Sequence, residues 1–119
     1  MASKTNLAKS ICYGEYRRRA RRRGIAFDIP KKEFYSLIIL PCTYCGVSLQ
    51  NANTRRNDTF RYTGLDRIDS SAGYTVGNVQ PCCRVCNRLK WDMGEDEFLL
   101  HIARVVVRWL LEVDKDVDL

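Results

Sequence analysis

The 119-residue chain contains one histidine and no run of eighteen apolar residues. The missing apolar run excludes a membrane-crossing helix. The start, Met1-Ala-Ser-Lys-Thr-Asn6, lacks the apolar core of a secretory signal, so the chain is expected to be cytoplasmic and its thiols reduced. Structural disulfides are then a poor use for its six cysteines, and small domains often gain stability from a bound metal, which directs the cysteines toward zinc. No internal repeat or long linker divides the chain, so one domain is expected. With 45% hydrophobic and 29% charged residues, the composition is neither that of a disordered chain nor that of a membrane protein.

Charge is plentiful but uneven. Residues 1–93 hold 17 Lys and Arg against 7 Asp and Glu, whereas residues 94–119 hold 3 against 7. A positive field confined to the first three quarters favours a polyanionic partner, nucleic acid above all. Its densest part is Tyr13-Gly-Glu-Tyr-Arg-Arg-Arg-Ala-Arg-Arg-Arg-Gly24. Tyr13, Tyr16 and Ala20 fall at helical spacing and Gly24 supplies a stop. Arg17, Arg18, Arg19, Arg21, Arg22 and Arg23 cover the remaining circumference, a pattern that neutralises phosphates without reading bases.

Ile25, Phe27 and Ile29 alternate as a strand that Pro30 ends, and Phe34, Leu37 and Ile38 predict a helix ending at Pro41. Residues 46–58 are polar and read as an exposed, mobile loop carrying Arg55 and Arg56. Phe60 to Asp69 reads as a strand, with a turn at Ser70 to Gly73 and a second strand near Tyr74 to Val79 completing a hairpin. Asn87 to Trp91 suits a helical turn, and Asp92-Met-Gly-Glu95 has capping-box spacing for a final helix. Phe98, Ile102, Val106 and Trp109, flanked by Leu99, Val105, Leu110 and Val113, give that helix a broad apolar face, expected to be core or a dimer seam. The acidic tail from Asp114 is expected to fray.

Cys42-Thr-Tyr-Cys45-Gly46 and Cys83-Arg-Val-Cys86-Asn87 are two Cys-x2-Cys knuckles. Together they supply the four soft ligands of a closed tetrahedral zinc site, which staples a fold and leaves no position open for chemistry. The x2 spacing of Cys83 and Cys86 matches the first knuckle better than a Cys82–Cys86 pairing does. Cys12 and Cys82 are left as small buried apolar residues. The only histidine, His101, lies among Leu99, Leu100 and Ile102 and reads as a helix residue packed or hydrogen-bonded near the core.

Between the knuckles runs Gly64-Leu-Asp66-Arg67-Ile-Asp69, then Tyr74, Asn78, and Cys83-Arg-Val-Cys86-Asn87-Arg-Leu-Lys90. This order resembles the HNH, or ββα-metal, endonucleases in the zinc-knuckle form common in bacteriophages and mobile introns. Tyr16-Arg-Arg-Arg-Ala and Phe34-Tyr-Ser-Leu-Ile, leading into Pro41-Cys-Thr-Tyr-Cys-Gly46, are similar to phage members as well. The resemblance covers about residues 13–105. It implies an α+β fold: a small zinc-stapled ββα-metal domain with an N-terminal basic helix (1–41), the knuckles enclosing the motif (42–91), a C-terminal apolar helix (92–113) and the tail (114–119).

The family's usual general-base histidine is replaced by Arg67, and an arginine side chain has no acceptor for a proton. The spacing of Asp66, Arg67, Tyr74 and Asn87 is instead similar to a PacI-like subgroup, in which an arginine and a tyrosine stand in for the histidine. The resemblance then implies that Asp66 and Asn87 hold one Mg2+ or Mn2+, that Arg67 clamps the scissile phosphate, and that Tyr74 is nucleophile or proton acceptor. Asn78 would brace the loop. No upstream histidine offers a further ligand, which leaves Asp58 or water. The implied function is metal-dependent DNA cleavage by a monomer or homodimer, in the host cytoplasm if the chain is phage-encoded, with the six arginines, Arg55, Arg56 and Lys90 contacting DNA. The alternatives are a zinc-stapled nucleic-acid-binding module that has lost the chemistry, or an interaction module docked through the final helix. Taken singly, Asp66 and Asp69 also suit a hairpin turn, Tyr74 a strand filler and Asn87 a cap.

Overall fold

The structure, a computed structural model, describes the backbone of residues 4–116 and the side chains of residues 6–112. Helix α1 (Lys4–Arg22) starts well before Tyr13. Ala8, Cys12 and Ala20 are buried on one side of it, with Tyr13 and Tyr16 half-buried beside them. The Tyr13 hydroxyl donates to the Ile29 carbonyl at 2.7 Å, and its ring meets Phe34 edge-on at 5.1 Å. The helix closes in a Schellman motif: Ile25 N–H donates to the Ala20 carbonyl and Gly24 N–H to that of Arg21, with Gly24 at φ 67°.

Strand β1 (Phe27–Asp28) is shorter than the alternation of Ile25, Phe27 and Ile29 suggests, and Pro30 opens α2 (Lys31–Ile38). Phe34 and Ile38 are fully buried on α2. The expected loop at 46–58 is corrected in its second half. Strands β2 (Asn51–Arg55) and β3 (Asp58–Tyr62) form an antiparallel hairpin. Arg56 and Asn57 turn it at φ 49° and 68°, the positive pair of a type I′ turn. Its inward side is partly polar. Asn53 is buried and its amide donates to Glu15, while buried Asp58 accepts the Ala8 N–H at 2.8 Å, placing a carboxylate near the positive end of α1.

The long strand expected from Phe60 to Asp69 is broken at Gly64. Strand β4 (Leu65–Arg67) follows, and it pairs antiparallel with β6 (Val79–Pro81). Strand β5 (Tyr74–Thr75) leaves that hairpin and pairs parallel with β1, Phe27 opposite Tyr74. A 3-10 turn at Val76–Asn78 joins β5 to β6. Helix α3 (Arg84–Lys90) begins earlier than expected, at the second knuckle. Helix α4 (Glu95–Asp116) takes Gly94 as its first carbonyl acceptor, so Asp92 lies ahead of the cap and the capping-box reading fails. Of the acidic tail, 114–116 continue α4, and 117–119 lie outside the described residues.

One core joins Ala8, Cys12, Ile29, Phe34, Ile38, Phe60, Leu65 and Val79. Helix α4 is not part of it. Phe98 is buried, edge-on to Tyr44 at 5.1 Å, but Leu99, Ile102, Val106, Trp109 and Leu110 are exposed, as is His101. The core reading of this face and of His101 is therefore corrected, because these side chains stand exposed beyond the first turn of α4. No described helix is long and apolar enough to cross a membrane.

Gly64 makes the break between β3 and β4 possible. Its φ is 126°, and a Cβ there would stand 2.5 Å from the Cys82 carbonyl oxygen. Gly64→Ala is expected to cost more than about 1 kcal/mol, whereas Gly77→Ala, with open space around it, should shift stability by under about 0.5 kcal/mol. Urea midpoints of the two variants check this.

Candidate functional site

The site is built on two anchors, the first of which is the pair of cysteine knuckles. The sulfurs of Cys42, Cys45, Cys83 and Cys86 all lie within 4.8 Å of one another, and Cys45 and Cys83 are 3.6 Å apart. A tetrahedron with Zn–S bonds of 2.3 Å has edges of roughly 3.8 Å, so the group has the size to bind zinc. The first knuckle turns at Gly46, whose N–H donates to the Cys42 carbonyl, and Thr43 N–H ties it to Pro81. The second caps α3, with Cys86 N–H donating to the Cys83 sulfur. Burial pushes the Cys83 and Cys86 thiols up. It acts on Cys42 too, but hydrogen bonds from nearby backbone groups and from Cys45 outweigh it and bring that thiol down to about 6. A soft dication relieves this crowding of sulfur. Cys82 is buried outside the group, its thiol donating to the Cys83 carbonyl.

The second anchor is an ion pair. Lys90 is completely buried, its ammonium 3.1 Å from Asp66 Oδ2 and donating to the Arg67 carbonyl at 3.2 Å. A buried ammonium makes no contact with a DNA backbone, so the expectation that Lys90 binds DNA is corrected. Asp66 Oδ2 lies close to this charge without a well-aligned hydrogen bond. Burial raises the Asp66 carboxyl above its usual range, against the pull of Lys90 and Arg67.

Above this pair opens a cleft of about 460 Å³ lined by Asp66, Arg67, Tyr74 and Asn87, together with Arg23, Trp91 and Asp92. Three separate stretches of chain thus reach one cavity, with two residues from β4, one from β5 and one from α3. The Arg67 guanidinium lies 5.4 Å from the centre of the Tyr74 ring. Its Nη1 donates to the Ser70 and Ala72 carbonyls at 2.7 and 2.9 Å, which leaves its other nitrogens for a ligand. Asn78 accepts from Asp69 N–H and donates to the carbonyls of Asp69 and Gly73, holding the loop between β4 and β5. Asp58 is engaged by α1 and takes no part in the cleft.

A buried carboxylate and an exposed amide lining one cleft are oxygen donors of the kind a hard divalent cation takes, with waters and a phosphate oxygen as its other ligands. Among the described residues only the four cysteines form a larger ligand cluster. The basic residues divide. Arg17, Arg18, Arg19, Arg21, Arg22 and Arg23 are all exposed, and Arg19, Arg22 and Arg23 line a groove that joins Tyr74 and Asn87. Arg55 is drawn to Glu15 at 2.9 Å, and Arg56 sits at the hairpin tip. Sequence reasoning passed over Arg84 and Arg88, which line a third groove with Arg19 and Asn87. Their signal was present, one helical turn apart beside the second knuckle.

Trp91 was passed over too. It is 78% exposed on the cleft wall, at φ 54° and ψ −122°, a conformation that costs a non-glycine residue about 1–3 kcal/mol.

Among solved structures, the chain is similar to one of the rare-cutting HNH restriction endonuclease PacI. The TM-score is 0.62 and the identity 24%, covering 94% of this chain and 91% of that one. This likeness is one of fold: the chain is a small α+β domain similar in architecture to an HNH endonuclease, and its four-cysteine cluster is able to bind zinc. An uncharacterized protein of Acanthamoeba polyphaga mimivirus is 30% identical over 102 residues, 86% of this chain, although the chain spans only 18% of that relative. No family model matches the chain.

Cys42→Ser, or chelator added to the wild type, is expected to abolish the cooperative melting transition, since structural zinc is folding free energy; a sharp transition persisting in chelator would sink this assignment. Lys90→Met should cost about 3–5 kcal/mol by leaving Asp66 buried without its counter-charge. Adding Asp66→Leu should recover most of that loss in chemical denaturation.

Proposed function

We propose that the chain is a metal-dependent DNA endonuclease that hydrolyses phosphodiester bonds. The observation that carries this reading is the convergence of Asp66, Arg67, Tyr74 and Asn87 on one cleft ringed by exposed arginines. The likeness in fold to a restriction endonuclease supports it, with DNA as partner. Arg17 to Arg23, together with Arg84 and Arg88, supply the charge that draws a phosphate backbone across the cleft; Arg55 and Arg56, on the β2–β3 hairpin away from the cleft, would add to the general positive field.

Asp66 and Asn87 would hold Mg2+ or Mn2+, which when bound neutralises charge building on the phosphorane and the leaving oxygen. Arg67, fixed by Ser70 and Ala72, directs its free N–H groups at the scissile phosphate. Tyr74 lies beside this guanidinium, which is 5.4 Å from its ring centre, and as a phenolate its oxygen has two uses. Acting as base, that oxygen takes a proton from the attacking water as the phosphorus–oxygen bond to the leaving alkoxide breaks, and solvent protonates the alkoxide. Acting as nucleophile, it bonds to phosphorus as the phosphorus–oxygen bond to the leaving alkoxide breaks, solvent protonates that alkoxide, and water later displaces the tyrosyl oxygen from phosphorus, losing its proton as it does so. Asn78 keeps Tyr74 and Arg67 in register by holding the loop between them.

One site cuts one strand. A monomer therefore nicks, and a homodimer assembled through the exposed face of α4, where Leu99, Ile102, Val106 and Trp109 repeat at coiled-coil spacing, would make double-strand breaks.

Supercoiled plasmid incubated with Mg2+ or Mn2+ at low salt is expected to be nicked or linearised. Tyr74→Phe should lower the rate by about 100-fold or more without changing the melting temperature. A chain that shifts DNA on a gel and leaves the plasmid intact across several sequences is a binding module instead.

A further inference from the structure

Trp91 sits where the chain reverses after α3. Its φ and ψ of 54° and −122°, with Met93 N–H donating to the Lys90 carbonyl at 3.0 Å, make Lys90 to Met93 a type II′ turn. Tryptophan occupies the position that such a turn reserves for glycine. The indole is not there for packing, because it is 78% exposed. The turn is nevertheless firmly held: Trp91 N–H donates to the Asn87 carbonyl, the Ser70 hydroxyl to the Asp92 carbonyl, and Lys90 is locked into the Asp66 pair. A large aromatic is thus presented to solvent on a rigid, strained support, on the wall of the cleft that holds Asp66, Arg67, Tyr74 and Asn87, with Arg23 also lining it.

We propose that Trp91 is a base-stacking residue, its indole receiving the face of a nucleobase displaced from its stack in the DNA strand that enters the cleft. The inference rests on DNA being the partner named above. The cations around the cleft, Arg19, Arg22, Arg23, Arg84 and Arg88, can follow phosphates but offer no apolar plane to a base. Trp91 offers one, beside the site where the phosphate would be held. An indole on such a platform takes any base, since each has a π face, and rewards a base already out of its stack over one that is paired. Strain tolerated at a ligand-facing residue is a common mark of function.

The test uses the full zinc-loaded chain carrying Trp109→Phe, which leaves Trp91 as the only tryptophan, with no magnesium or manganese added. The probes are a 20-nucleotide DNA single strand of mixed sequence and its duplex. The single strand is expected to quench the indole emission. Trp91→Ala and Trp91→Gly should weaken its binding by about 5- to 100-fold, Trp91→Phe should retain most of it, and duplex binding should change far less. Trp91→Gly should also melt at or above the parent temperature, because it relieves the turn. Unquenched emission, unchanged single-strand affinity in the alanine variant, or a lower melting temperature of the glycine variant would each overturn the proposal. Cleavage is read separately with Mg2+ added. A chain that quenches but does not cut keeps the stacking residue and loses the nuclease, and a chain that cuts without quenching does the reverse.

Discussion

Four sulfur atoms gathered within 4.8 Å fix the start of α3 against the segment that follows α2, and the geometry of the cleft is measured from that point. A seven-residue helix has too few turns to persist by itself, and α3 buries only Cys86 and Lys90. Its direction therefore depends on the knuckle at one end and the buried ammonium at the other. Asn87 lies between these two fixed points, one residue beyond the last cysteine, so its amide inherits the placement that the cysteine cluster imposes.

The Lys90–Asp66 pair has a double consequence. Taking both charges out of water is expensive, and a buried pair is rarely a net gain in stability over apolar residues of similar size. Here it joins α3 to β4, because the same ammonium also bonds the Arg67 carbonyl. Helix and strand are thereby held at one separation, the separation across which Asp66 and Asn87 would share a cation. The pair also sets a limit on that cation: Asp66 already has a positive neighbour at 3.1 Å, so an incoming dication gains less from this carboxylate than from a free one and leans on the phosphate and waters for its remaining charge and ligands. Metal and substrate are then expected to bind together more readily than either binds alone.

What could be read in the sequence followed the range of the interaction. The knuckles were legible because their spacing is local and thiol chemistry is specific, and Asp66, Arg67, Tyr74 and Asn87 because the motif carries their order. The β2 half of the β2–β3 hairpin was not, since that strand carries no side chain more apolar than Ala52: Asn53 and Asp58 turn inward to reach Glu15 and Ala8 of α1, a demand that exists only once the helix lies across them. The turn at Arg56-Asn57 lacks the glycine that would have announced it. The early start of α1 had a weak signal in Ala8, Cys12, Tyr16 and Ala20 at four-residue intervals. Lys90 was misread because a lysine in a basic segment is exposed by default, and its burial is decided by a carboxylate 24 positions earlier in the chain.

Helix α4 and Trp91 break ordinary rules of local consistency in the same region. An exposed stripe of Leu99, Ile102, Val106 and Trp109 is an unfavourable surface for an isolated chain, and a tryptophan in a glycine position of a turn is unfavourable for any chain. Sequences tolerate such conflicts where a partner relieves them. The two conflicts call for different partners. The stripe is aliphatic and long, suited to another apolar helix, and it begins beyond Phe98, the last α4 side chain that the body of the protein covers. The indole shares its cleft with Arg23, Arg67, Asn87 and the carboxylates Asp66 and Asp92, where an apolar helix would strand those charges, and a flat heteroaromatic ring on a phosphate backbone would leave the arginines paired. The single turn between α3 and α4 therefore separates two surfaces of opposite character, one charged with a single exposed indole, the other apolar.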